Sequence, residues 1–298
     1  MTLDKVKCPS CGELVAPING AIKAARSYDD CLRRCEKCGI GFSNSKNNPS
    51  VIYKNYLDNI PELLQNGLEI TLNNSINELN RKNKRNRIGY STSEDALTWS
   101  FFKYFVVRER FEDLLNLLNI KSDGKDYDIY LWGVPISSQS NKNNFIEKFR
   151  EVSRNFNETS SKMTEPDVMI KLSDKIVFIE VKYLSANEIK TGEEFAKYLI
   201  PDVEKEKLIE SGHYELFRNW AFASKLSYGN DFILINLAPK KLFSSKSQSK
   251  LIQFENSLKS TKGKFVKLTW EEILEKVNNK EYDMWFKNYL NKKLDAIR

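Results

Sequence analysis

Apolar residues along this chain change their period several times. Over residues 93–118 they recur every three or four positions, the spacing of one buried helical face. Residues 51–79 carry a weaker helical pattern, with Pro61 near a helix start. Short apolar runs at 127–134, 166–172, 175–183, 231–237 and 265–268 have the length and composition of strands. Further helices are expected at 186–199, 203–226, 250–258 and from 270 onward. Strands interleaved with helices predict an α/β domain. There is no internal repeat, and neither a GxxxxGK[ST] nor a GxGxxG run, so a P-loop or Rossmann site is not expected.

The two apolar runs around Ser173-Asp174 form a predicted hairpin. With Leu172 facing Lys175, every facing pair of positions adds to 347. Asp167 and Glu180 then oppose each other on one face, with β-carbons ~5 Å apart. Lys182 lies two residues on and shares that face. Ile176 and Phe178 also share it, while Val177, Ile179 and Val181 fill the other. A strand apolar on both faces is central, so charges at its end belong to a site. The competing reading is a surface hairpin with a Glu–Lys pair at a sheet edge.

Two facing carboxylates repel each other. A hard divalent cation, Mg²⁺ or Mn²⁺, relieves that repulsion, since it takes carboxylate oxygens and leaves places for phosphate. Lys182 beside it could orient a water, lower its pKa or stabilise charge growing on a phosphate.

Composition narrows the chemistry. The 298 residues contain a single histidine, His213. Any site needing two imidazoles is excluded, and with it HNH-type nucleases, paired-histidine phosphodiesterases and His-rich zinc hydrolases. Hydrophobic residues are 41% and charged residues 29%, an ordinary globular mixture. Lys+Arg 47 against Asp+Glu 40 gives +7, which suits a polyanionic partner. Much of that excess sits in one run, Arg81, Lys82, Lys84, Arg85 and Arg87, which reads either as a phosphate-contacting patch or as a solvated loop. The N-terminus has no apolar signal core, and no apolar stretch approaches the ~20 residues needed to span a bilayer. A cytoplasmic protein without membrane contact is expected.

All 5 cysteines fall between Cys8 and Cys38. Cys8 and Cys11, then Cys35 and Cys38, form two CxxCG knuckles. The two-residue gap aims both thiolates at one ion, and two knuckles complete the tetrahedral set of structural zinc. This segment resembles a zinc ribbon. Cys31 is left over, as a free thiol or an alternative ligand. Residues 41–50 are polar and rich in breakers, a linker by composition.

Pro166-Asp167 followed by Glu180-Val181-Lys182 resembles the PD-(D/E)xK nuclease superfamily. The resemblance implies a restriction-endonuclease-like core, a central mixed sheet flanked by helices in the order α, three strands, α, strand. It implies Mg²⁺ held by Asp167, Glu180 and the main-chain carbonyl of Val181, with Lys182 positioning the water. It also implies in-line hydrolysis of DNA leaving 5′-phosphate and 3′-hydroxyl ends, in restriction or anti-phage defence, with a homodimer or defence-system subunits as possible partners. Members often carry a further acid on the helix before the sheet. Glu94 occupies that place, in register with inward Leu97 and Phe101. Ser91 through Glu94 also reads as a capping box, which would occupy the same carboxylate. On the helix after the sheet hairpin, Arg218 could contact phosphate, with Tyr214 one turn earlier. That helix equally well packs its aromatics and exposes its polar groups.

The expected organisation is a four-cysteine zinc ribbon over 1–48, a helical linker with the basic run over 49–90, and a nuclease domain over 91–298. The rival functions are a structure-selective repair or RNA nuclease, and a non-catalytic nucleic-acid-binding module on the same fold. A binding module has no need of facing carboxylates.

Overall fold

A computed structural model describes residues 3–122, 126–137, 144–190, 192–244 and 248–297. The cysteine-bearing segment makes two small sheets. Strands β1 (Val6–Lys7) and β2 (Leu14–Val15) form a hairpin around the first knuckle. Strands β3 (Arg33–Cys35), β4 (Ile40–Phe42) and β5 (Val51–Tyr53) form an antiparallel sheet around the second. Residues 41–50, expected as a linker, instead end β4 and close the β4–β5 turn, where Ser43 N–H donates to the Ser50 carbonyl at 2.8 Å. The helical pattern expected from 51 likewise begins as a strand. Val51-Ile52-Tyr53 is a β-branched and aromatic triplet, and Ile40 pairs with Tyr53. The small sheet therefore runs past the boundary expected at 48.

Helices α1 (Leu68–Asn74) and α2 (Arg81–Ile88) follow, then α3 (Glu94–Val107) and α4 (Phe111–Leu117). The single helix expected over 93–118 is broken at Arg108–Arg110. Glu109 takes a left-handed φ of 53°, and Arg108 turns aside to pair with Asp283 at 2.9 Å.

Beyond these lie β6 (Tyr127–Leu131), β7 (Val134–Pro135), α5 (Asn144–Asn155), β8 (Val168–Leu172) and β9 (Lys175–Val181). The chain continues through α6 (Lys205–Ser211), α7 (Tyr214–Leu226), β10 (Asp231–Ala238), α8 (Lys240–Ser244) and α9 (Gln248–Ser257). It ends with β11 (Gly263–Thr269), α10 (Trp270–Asn278) and α11 (Met284–Leu294). The main sheet has the order β11-β10-β9-β8-β6-β7. β9, β10 and β11 run parallel, and β8 is antiparallel to both β9 and β6. This is a mixed α/β architecture, a six-stranded sheet flanked by helices. In place of the helix expected over 186–199, residues 186–190 have no regular structure and Glu193–Tyr198 form a 3₁₀ helix. The helix expected over 203–226 is divided by Gly212, which adopts φ 71°.

The hairpin register agrees with the pattern. Val168 pairs with Ile179, Met169 with Phe178, and Ile170 with Val177. β9 is central, between β8 and β10. Its Val177, Ile179 and Val181 pack in one core layer with residues of α3, α10 and α11. Ile176 and Phe178 pack in the other, with α5, α7 and α9. Among the described residues no helix is long and apolar enough to cross a membrane.

The single histidine sits at the elbow between α6 and α7, 2% exposed, with its ring edge-on to Phe254. Burial pushes its imidazole down to about 4, with Lys250 adding to the effect. The unfolded chain binds a proton near 6.5 and the folded one only near 4. Stability from this group is therefore complete above 6.5 and is lost as pH falls through that window, by about 3 kcal/mol at most. Urea unfolding at a series of pH values should show this decline, and His213→Leu should flatten it. An unchanged slope in the variant would show that other groups cause it.

Candidate active site

The site lies at the ends of β8 and β9. Asp167 immediately precedes β8, and continuing the register places it opposite Glu180. Its Oδ2 accepts the Val181 N–H at 2.8 Å, which ties the two strand ends together. Glu180 Oε1 lies 2.6 Å from Lys182 Nζ, and Oε2 accepts from Asn219 Nδ2 at 2.7 Å. Lys182 Nζ also reaches Glu215 Oε2 at 3.0 Å. The backbone of Lys182 is fixed as well, its N–H donating to the Leu237 carbonyl and its own carbonyl accepting from Trp270 Nε1. Tyr183 faces the opposite layer, where its hydroxyl donates to the Lys293 carbonyl.

Glu94 is the first residue of α3. The capping box expected from Ser91 does not form, because the N-cap is Ser93, whose Oγ accepts from Ala96 N–H at 3.1 Å. Ser91 Oγ instead accepts from Val51 N–H in β5. The Glu94 carboxylate is thus released toward the sheet, and its Oε2 accepts from Tyr183 N–H at 2.7 Å and Ser185 Oγ at 2.8 Å.

The segment before α3 is held from outside. Asn59 Nδ2 donates to the Ile88 and Tyr90 carbonyls, both at 2.6 Å. Tyr53 N–H of β5 donates to the Gly89 carbonyl, and Ser91 N–H donates to the Val51 carbonyl. Lys293 Nζ, on α11, donates to the Ser91 carbonyl at 2.8 Å. The small cysteine-bearing sheet and the C-terminal helix therefore brace the entry to α3.

Asp167, Glu180, Lys182 and Glu94 line one cavity of about 860 Å³. Its walls carry seven carboxylates against four cationic side chains, so the cavity is acidic in a basic protein. Burial, then the neighbouring Glu180, holds the Asp167 carboxyl well above the usual carboxylate range, with Glu94 adding to the effect. Burial also raises Glu94, against the pull of Lys182. For Lys182, burial alone would lower the pKa, but Glu180, Glu215, Asp167 and Glu94 outweigh it and keep the ammonium protonated. With these carboxylates around it, Lys182 is a cation and hydrogen-bond donor.

The basic run divides by helical face. Arg81 donates to the Ser75 carbonyl, and Arg85 pairs with Glu69. Lys84 is buried between Asp95 and Glu165. Lys82 and Arg87 are exposed, and Arg87 reaches the cavity wall. Arg218 also lines the cavity, with its guanidinium 5.4 Å from the Tyr214 ring centre. His213 does not line it.

Several residues in or behind the cavity carry no motif. Glu215 lines the cavity, and Arg218 and Asn219 follow it on α7 at three and four residues; that spacing is the signal that one helical face serves the site. Asn236, beside Glu180 on β10, exchanges hydrogen bonds with Asn187 and fixes the loop after β9.

At the other end, the four Sγ atoms of Cys8, Cys11, Cys35 and Cys38 lie within 4.8 Å of one another, Cys11 and Cys35 at 3.7 Å. A tetrahedron with Zn–S of about 2.3 Å has edges of about 3.8 Å, so the quartet could hold zinc. Cys31 stands apart, buried against Tyr28 and Ile52 with its thiol directed at the Ser27 carbonyl, and burial pushes that thiol up to about 11. Among the described residues this quartet is the one group of three or more ligands so closely drawn together. Asp167, Glu180 and Glu94 share their cavity at wider spacing, since each is anchored to a different backbone or side-chain donor.

A family model described as Restriction Endonuclease associating with ARP matches residues 71–293, well over half of the 298-residue chain. No curated protein and no solved structure matches the chain. The matched span contains the whole cavity and every strand of the main sheet. Together, the acidic cavity on a mixed sheet and this match show that the chain belongs to the family of restriction endonucleases associating with ARP.

Proposed function

We propose that this protein is a divalent-metal-dependent endonuclease that hydrolyses DNA phosphodiester bonds, with a role in restriction or anti-phage defence. The observation that carries the reading is Asp167 opposite Glu180 at the end of a central strand, with Lys182 bonded to Glu180 and Glu94 reaching in from α3. The donor set suits a hard cation. Asp167 Oδ1 and Glu94 Oε1 have no hydrogen bond among the described residues, while their partner oxygens are anchored. The excess of carboxylates in the cavity would repel a nucleic acid unless cations offset it.

Asp167, Glu180, Glu94 and the main-chain carbonyl of Val181 would hold Mg²⁺ or Mn²⁺. When bound, the ion supplies charge neutralisation at the phosphate and a water of lowered pKa. Lys182 donates a hydrogen bond to the attacking water or to a phosphate oxygen, and Glu215 holds its ammonium in place. Asn219 orients Glu180. Arg87 and Arg218 face the cavity as phosphate contacts, with Lys82 on the exposed side of α2. The attack is in line and leaves 5′-phosphate and 3′-hydroxyl ends. The cysteine quartet binds structural zinc.

Plasmid cleavage in Mg²⁺ should fall by at least about a hundredfold in Asp167→Asn and in Glu180→Gln, while plasmid binding in Ca²⁺ persists. Undiminished cleavage by Asp167→Asn would remove this carboxylate from the site. Running the same assay on RNA of matched sequence separates the substrate classes.

Metal analysis of the purified protein should find about one equivalent of zinc. Paired Cys35→Ser and Cys38→Ser should abolish it, while Cys31→Ser should retain it. Zinc lost with Cys31→Ser alone would place the wrong thiol outside the cluster.

A further inference from the structure

Lys84 belongs to the basic run by sequence, but its surroundings are those of an internal joint. It is 4% exposed, on α2. Its Nζ lies 3.2 Å from Asp95 Oδ1 and 3.1 Å from Glu165 Oε1. It also lies 4.5 Å from the centre of the Trp132 ring. Burial alone would lower the pKa of this ammonium, but Asp95, Glu165 and Asp167 outweigh it and keep it charged.

The three groups it touches sit on three different segments, each adjoining the site. Asp95 is the neighbour of Glu94 on the first turn of α3. Glu165 lies two residues before Asp167, and its second oxygen accepts from Asn77 N–H at 3.1 Å. Trp132 follows β6, and its main-chain N–H donates to the Asp167 carbonyl at 3.2 Å. One ammonium therefore joins α2, the start of α3 and the approach to β8.

We propose that Lys84 is a positioning residue that sets the separation of Glu94 from Asp167 and makes no contact with nucleic acid. This rests on the reading of Asp167, Glu180 and Glu94 as the cation-holding set. Pairing with Lys84 also engages one oxygen each of Asp95 and Glu165 and offsets part of their charge; both line the same cavity and would otherwise compete for the cation. Removing Lys84 leaves two part-buried carboxylates without a counter-charge, each within two residues of a proposed ligand. Removing all three charges together leaves no such imbalance. That asymmetry separates a positioning role from a phosphate contact, which depends on neither acid.

The test compares four full-length proteins: wild type, Lys84→Met, the pair Asp95→Asn with Glu165→Gln, and the three changes combined. The readouts are DNA affinity in Ca²⁺ over a salt series, turnover in Mg²⁺ at saturating DNA, and thermal midpoint. Lys84→Met should lower turnover at least about tenfold and lower the midpoint. Its DNA affinity should stay within about twofold of wild type, with the salt slope unchanged. In the background lacking both acids, the same change should cost little turnover and little stability. The proposal is overturned if Lys84→Met weakens DNA binding and reduces the salt slope by about one in both backgrounds, the behaviour of a phosphate contact. It is equally overturned if the thermal effects of the lysine and the two acids simply add. Should Lys84→Met fail to fold, Lys84→Arg and the combined variant carry the same comparison. A wild type that cleaves nothing would defeat the proposed function, while the stability coupling would still decide the role of Lys84.

Discussion

Like charges facing each other across a hairpin, at the mouth of a sheet buried on both sides, need compensation from every direction. Here it comes from several segments. The backbone of β9 donates to Asp167, and the side chain of Asn219 on α7 donates to Glu180. Lys182 bridges Glu180 to Glu215, and the chain beyond β9 donates to Glu94. None of these bonds survives a change of register. Shifting β9 by one residue would drive Glu180 into the layer formed with α3, α10 and α11, and would expose Ile179 to the other side. The apolar packing of β9 thus holds the carboxylates opposed, and the polar groups around them make that opposition tolerable.

The hairpin was legible because a symmetric turn fixes every pair that follows it, so counting from Ser173-Asp174 reached Asp167 and Glu180 correctly. The cysteine knuckles were legible for a similar reason, since short-range spacing decides which thiols meet. What escaped was set by contacts distant in sequence. The helical period runs unbroken past Arg108, but Asp283, 175 residues away, draws that arginine aside and the helix ends. Val51–Tyr53 is too short a β-branched and aromatic run to stand out from the helical pattern after it, and it becomes a strand because β4 is there to pair with it. The basic run illustrates the limit most directly. Its composition announces one patch, whereas a helix presents its residues to different neighbours, and Glu69, Asp95 and Glu165 claim two of the cations.

The charge balance also changes meaning with position. The chain carries an excess of basic residues, yet the cavity at the ends of β8 and β9 is lined mainly by acids. Under the proposed function, the net basic charge would attract a polyanion at long range, while the acidic recess would suit the divalent ions on which phosphate chemistry depends. The two features are complementary. A wholly basic cleft would bind nucleic acid tightly and leave no place for a metal, and a wholly acidic protein would repel its substrate before it arrived.

The bracing of residues 88–91 bears on where one folding unit ends and the next begins. The family match starts at residue 71, yet Tyr53 and Asn59, which hold the carbonyls of Ile88, Gly89 and Tyr90, lie upstream of it. The matched span is therefore shorter than the stretch of chain whose hydrogen bonds hold the entry to α3. The cysteine-bearing sheet is an abutment rather than a detachable accessory: the segment that enters α3 leans on it through backbone bonds that no side-chain motif would disclose.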